Sequence, residues 1–132
     1  MRYSTFIAEV ALRTGLREHE GEIVARATLQ TLAQRIPEAT SARLARELPP
    51  ELGGLLLAAR VPDAEEFDLC EFINRVSRSS GLDSPQSTYG ARVVFDLVHG
   101  MAEGRTLDAV REALSCDLRV LFDAGRSGQK TP

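Results

Sequence analysis

Apolar residues along this chain recur at helical intervals, and no segment sustains the alternation of a strand. Phe6, Ile7 and Val10 share one face of a short helix that Gly15-Leu16 should stop: a glycine can enter the left-handed region, and the leucine closes the turn with an apolar contact. A longer helix follows, with Ala25, Leu29, Leu32 and Ile36 on one stripe before Pro37. Thr40 is placed to cap a third helix bearing Leu44 and Leu48, which Pro49-Pro50 breaks. A short fourth helical turn then carries Leu52, Leu55 and Leu56.

The same order returns. Shifting the chain by 66 positions lays Phe6 on Phe72, Ile7 on Ile73, Val10 on Val76, Gly15 on Gly81 and Leu16 on Leu82. Without a gap it also lays Ala25 on Ala91, Arg26 on Arg92, Thr40 on Thr106, Leu48 on Leu114, Leu52 on Leu118 and Leu55 on Leu121. Non-identical pairs stay apolar, such as Leu29 on Phe95, Leu32 on Val98 and Leu44 on Val110. Register kept over a whole unit points to an internal duplication. The second copy has stronger start signals. Asp68 and Glu71 form a capping box flanked by a Phe67/Phe72 staple, where the first copy has only Arg2 and Thr5, so the first helix should fray more. Its long helix, bearing Ala91, Phe95, Val98 and Ala102, is expected to open with Ser84 as N-cap and Pro85 at N1 and to stop at Gly104. Thr106 and Ser115 are the expected caps of the next two helices.

These signals predict an all-α fold, a tandem duplication of a three-to-four-helix unit packed as one bundle with pseudo-twofold symmetry. The expected organisation is a single domain over 1–122, with unit one at 3–57, a connection at 58–67 and unit two at 68–122. The last stretch, 123–132 (DAGRSGQKTP), lacks apolar anchors and is expected to be disordered.

Composition narrows the function classes. Hydrophobic content is 43%, which excludes a disordered chain, while aromatic content of 5% without tryptophan gives no platform for stacking bases. The net charge of −3 includes fifteen arginines and a single lysine, Lys130, a bias that coding composition explains. Neither half is basic, which argues against a nucleic-acid partner. No apolar run reaches the length of a membrane span, and Cys70 and Cys116 belong to no CxxC or Cys/His cluster, so the expectation is reduced thiols in a cytoplasmic protein.

The segment FDLCEFINRVSRSSGL (67–82), the Thr-capped third helix and LPPELGGLLL (48–57) together resemble the bacterial domain-of-unknown-function 2267 (DUF2267) family. The likeness extends from Tyr3 to Phe122. Ser115-Cys116 departs from the family's Leu-Pro, and the connection lacks its frequent tryptophan. The resemblance implies a bacterial, cytoplasmic, helical and uncharacterised protein. It imports no catalytic residue.

Candidate chemistry is sparse. Arg26 and Arg92 are the one charged pair kept at matching positions, each with a carboxylate one turn away, Glu22 and Asp96; that spacing reads first as helix-flank ion pairs and second as a paired anion or partner contact. His19 reads as solvent-facing and His99 as a partly buried, hydrogen-bonded histidine, since neither has converging ligands. Cys70 falls at N2 of its helix, where thiols can be activated, and Cys116 reads as a space-filling residue. Glu18, Glu20 and Glu22 alternate and so do not share a helix face; they read as helix-start chemistry rather than a metal site. Arg43 and Arg46 imitate a recognition helix, but Ala109 and Glu112 replace them in the copy. Gly53-Gly54 reads as a site of close helix packing or as the end of a turn. With no catalytic, metal or cofactor residue to name, the first reading is a non-enzymatic helical interaction module for a protein partner or a homodimer; a nucleic-acid-binding helical protein is the second, and a small-molecule enzyme the last. Its expected contact is an exposed Leu55–Leu57 patch.

Overall fold

The computed structural model describes residues 1–129, with side chains through residue 124. Among the described residues the fold is all-α, eight helices without a strand. They are α1 (Tyr3–Thr14), α2 (Glu18–Arg35), α3 (Glu38–Glu47), α4 (Pro50–Ala59), α5 (Leu69–Ser80), α6 (Ser84–His99), α7 (Gly104–Ala113) and α8 (Cys116–Gln129). Each helix of the second four starts 66 residues after its counterpart, at 69, 84, 104 and 116 against 3, 18, 38 and 50.

The predicted stripes are the buried faces. Phe6, Val10, Ala25, Leu29, Leu32, Ile36, Leu44, Leu52, Phe72, Val76, Phe95, Val98 and Val110 all belong to one core that draws on every helix. The rings of Phe72, Phe95 and Phe122 continue one another through it, with centroids 5.9 and 5.1 Å apart. At the centre α2 crosses α6; α2 also packs on α5, and α6 on α1. A Cβ built on Gly90 of α6 would lie 2.7 Å from a Val24 methyl of α2, so the crossing depends on a glycine facing a valine. Those two residues occupy matching positions, 24 and 90.

Local starts and stops follow their chemistry. Gly15 and Gly81 end α1 and α5 at φ 73° and 76°, each amide donating to a carbonyl four residues back. Asp68 accepts the Glu71 amide at 3.0 Å, and Phe67 lies 6.4 Å from Phe72, as the staple requires. The reciprocal arm of that box is replaced, because the Glu71 carboxylate accepts from Arg75 at 2.8 Å. Arg2 supplies no side-chain cap to α1.

Several boundaries differ from expectation. The N-cap of α6 is Asp83, not Ser84: its carboxylate accepts the Gln86 amide at 2.8 Å while Gln86 accepts the Asp83 amide. That helix ends at His99, with Gly100 as its cap, and Gly104 opens α7 instead of stopping α6. Thr40 and Thr106 are third residues of α3 and α7 and not their caps. The Thr106 hydroxyl donates to Glu47 at 2.8 Å, and Glu47 also accepts the Glu103 amide at 2.7 Å, so the end of α3 caps the start of α7. The fourth element is a full helix of ten residues. The segment expected to be disordered from Asp123 begins instead as the continuation of α8 to Gln129, because Asp123 accepts from Arg111 of α7 at 2.9 Å and lies 3.3 Å from His99 of α6. Residues 130–132 lie outside the described residues. No helix among the described residues is long and apolar enough to cross a membrane.

Candidate functional site

Two open troughs flank the central α2/α6 crossing. The first, of about 760 Å³, lies between α2 and α5, with Gln30, Thr31 and Gln34 from α2 and Arg75, Arg78 and Ser79 from α5. Its frame is one guanidinium that bonds through all three of its nitrogens. Arg75 donates through Nε to Glu71 at 2.8 Å, through one terminal nitrogen to Gln34 at 3.0 Å and through the other to Glu65 at 2.8 Å. It also lies over the Phe67 ring, 4.0 Å from its centroid. Its pKa is pushed up by the hydrogen bonds to Glu65 and Glu71, and the same bond to Arg75 holds Glu65 below the usual carboxylate range. Glu65 and Phe67 belong to the connection, so Arg75 clamps that segment onto the bundle, and a further bond from the Glu65 amide to the Gln34 carbonyl (3.0 Å) reinforces it. Arg78, with a side chain 73% exposed and a terminal nitrogen 3.8 Å from Glu71, is the more outward cation of this trough.

The second trough, of about 550 Å³, lies where α6 meets α1. Four of its lining residues, Asp96, Leu97, Gly100 and Arg13, match Gln30, Thr31, Gln34 and Ser79 of the first trough under the 66-residue shift. The same two helix faces thus build both, with different chemistry. Asp96 accepts from Arg13 at 2.8 Å, and Arg13 also donates to Glu9 at 3.0 Å. The His99 side chain, 6% exposed, has Nε2 2.9 Å from the Phe122 carbonyl and its ring 4.6 Å from that of Phe122. His99 is therefore a hydrogen-bonded, largely buried histidine that helps hold α8.

The other candidates scatter. Arg26 and Arg92 are both exposed. Arg26 lies beside Tyr3, whose hydroxyl donates to Glu22 at 2.5 Å; burial first, and then that carboxylate, push the Tyr3 pKa up. Asp96, expected to pair with Arg92, holds Arg13 of α1. His19 is exposed on α2. Glu20 accepts the Arg17 amide at 3.0 Å, which is helix-start chemistry as expected. No cluster of three or more His, Cys, Asp or Glu able to hold a metal occurs among the described residues. Cys70 and Cys116 are both exposed, so Cys116 does not fill interior space. The Leu55–Leu57 patch does not exist as a unit: Leu55 and Leu56 are buried in the core, and only Leu57 reaches the surface, 40% exposed. Their helix turns those two leucines inward because Gly53 lets α4 approach α3; a Cβ there would collide with the Ala45 carbonyl oxygen, whereas Gly54 faces open space.

Sequence reasoning missed three residues that organise this region. Arg75 was visible only as an i,i+4 partner of Glu71. Arg35 is buried and donates to the Phe67 carbonyl at 2.9 Å and the Ala113 carbonyl at 2.6 Å, tying α2 to the connection and to the end of α7. Glu47, the cap of α7, carries no local signal at all.

A family model described as "Uncharacterized conserved protein (DUF2267)" matches residues 3–121. No curated protein matches the chain.

Proposed function

The chain belongs to the DUF2267 family of uncharacterized conserved proteins, and from that premise we propose that it is a cytoplasmic, non-enzymatic helical module that docks a segment of a partner protein in the α2/α5 trough. One observation carries this reading: the trough is open and lined by hydrogen-bonding side chains set along two helices, while each nitrogen of Arg75 is already engaged within the protein. Gln30, Gln34, Ser79 and Arg78 offer donors and acceptors to an extended or helical segment, and Arg78 can receive a carboxylate. Arg75 is used structurally: its three nitrogens bond α5, α2 and the connection, which supports a docking role over a reacting centre.

We further infer that the eight helices are two copies of one four-helix unit related by a pseudo-twofold axis through the α2/α6 crossing. Equal spacing of the helix starts supports this, as do the contact between matching residues Val24 and Gly90 and the matched linings of the two troughs. On that reading the troughs are twin sites that have diverged, one toward amides and an exposed arginine, the other toward an internal Arg13–Asp96 pair.

The docking reading is tested by placing a photo-crosslinking amino acid at Arg78, and as a control at the exposed Glu112 of α7, in cells that make the protein. A discrete adduct from position 78 alone, lost when Gln30 and Gln34 are changed to glutamate, is the expected result. Equal labelling from both positions, or none, would overturn the proposal.

A further inference from the structure

Cys70 and Cys116 lie 46 residues apart in the chain, yet the fold sets the helices that carry them start to start. Cys116 is the first residue of α8 and Cys70 the second of α5. Their immediate neighbours are bonded: the Asp117 carboxylate accepts the Leu69 amide at 3.1 Å. Asp117 is itself held by the Ser115 hydroxyl at 2.5 Å and the Leu118 amide at 2.8 Å, and these bonds, that from Ser115 foremost, keep its pKa low. The other half of the molecule repeats the arrangement. Ser4 and Pro50, at the positions matching Cys70 and Cys116, line one cavity of about 450 Å³ together with Tyr3 and Glu51, which match Leu69 and Asp117. The Leu69–Asp117 bond thus brings the helix starts that carry the two cysteines together, the counterpart positions share a cavity on the repeat reading proposed above, and both thiols are exposed.

We propose that Cys70 and Cys116 form a peroxide-oxidised dithiol that closes to an intramolecular disulfide. In the first step one thiolate attacks a peroxide oxygen; the O–O bond breaks, one water leaves and a sulfenic acid forms. The second thiolate then attacks that sulfur; the S–S bond forms, the S–O bond breaks and the second water leaves. Two thiols lose two electrons, one peroxide gains them, and both thiol protons end in water. A disulfide needs its Cα atoms within about 7 Å. The final adjustment falls on the first turns of α5 and α8, where the bonds that must yield are side-chain caps, Leu69 to Asp117 and Glu71 to Asp68, and not main-chain helix bonds. Closure pins the start of α5, the helix that walls the first trough, to α8.

The test uses the full chain, reduced and then exposed to hydrogen peroxide, once in native buffer and once unfolded in urea. The chain holds two cysteines, so a monomer lighter by two hydrogens identifies the pair, and trypsin leaves residues 61–75 linked to residues 112–119. Closure in the native chain is expected to be roughly tenfold faster than in urea, because the fold holds the thiols together. In the Cys116→Ser variant, the Cys70 sulfenic acid should persist and be trapped by dimedone. Faster closure in urea than in native buffer, disulfides only between chains, or separate oxidation of both thiols to sulfinic acids would each overturn the proposal.

Discussion

Gly53 and Gly54 stand side by side in α4 and have opposite reasons to exist. A Cβ at position 53 would collide with main chain, the Ala45 carbonyl oxygen, which cannot rotate aside. At position 54 it would meet nothing within 4 Å. Gly53→Ala should therefore destabilise the protein by about 1–3 kcal/mol, as overpacking against an unyielding neighbour does. Gly54→Ala should leave stability unchanged or raise it by up to about 1 kcal/mol, since alanine is the better helix former. Urea unfolding midpoints measure both, and an equal response would show that α3 and α4 are not in close contact. The matching position in the second half is Arg119, whose Nε donates to the Arg111 carbonyl at 2.7 Å, the counterpart of Ala45. An arginine fills with a hydrogen bond the space a glycine leaves empty, so α7 and α8 stand further apart than α3 and α4.

The helices themselves show what local sequence can and cannot specify. Stripe positions such as Leu29, Leu32 and Phe95, and stops such as Gly15 and Gly81, were legible because each depends on residues within a turn or two. Starts that borrow groups from elsewhere were not. Thr106 looked like a cap, but the α7 start is capped by Glu47, 56 residues away from Glu103, and the threonine serves the same carboxylate. Of the candidate site, the sequence reading reached only Glu71, and as a capping residue; Gln34 and Glu65 reach Arg75 through tertiary packing, which no local pattern reports. The leucine patch failed for the same reason: nothing near Leu55 in sequence reports that α3 lies over it. Glu47→Ala should destabilise the chain by about 1–2 kcal/mol, the range for losing an N-terminal cap. Hydrogen exchange localises the effect. The Glu103 amide, which donates to Glu47, should lose protection, while the amides of α2 change only as far as global stability falls; uniform loss across both would mean that Glu47 acts through general packing.

At the scale of the whole molecule, the crossing of α2 over α6 is where the proposed relation between the two halves can be tested against a bundle that merely repeats its helix lengths. Val24 is a knob, Gly90 is its hole, and the two occupy matching positions. In a pairing of two identical first halves valine would meet valine, and in a pairing of two second halves glycine would face glycine. The two halves therefore complement each other where neither complements itself. Gly90→Val alone should crowd the crossing and destabilise by about 1–3 kcal/mol. Val24→Gly alone should cost more than about 2 kcal/mol, because it leaves a cavity in the core and places a second glycine in a helix. If the axis relates the two positions, the double exchange returns knob and hole to each other with their helices swapped. Its destabilisation should then fall short of the sum of the singles by at least about 1 kcal/mol, the coupling expected of residues in contact. Simple additivity in urea titrations would mean that α2 and α6 do not meet symmetrically there, and the twin-site reading of the two troughs would lose its geometric basis.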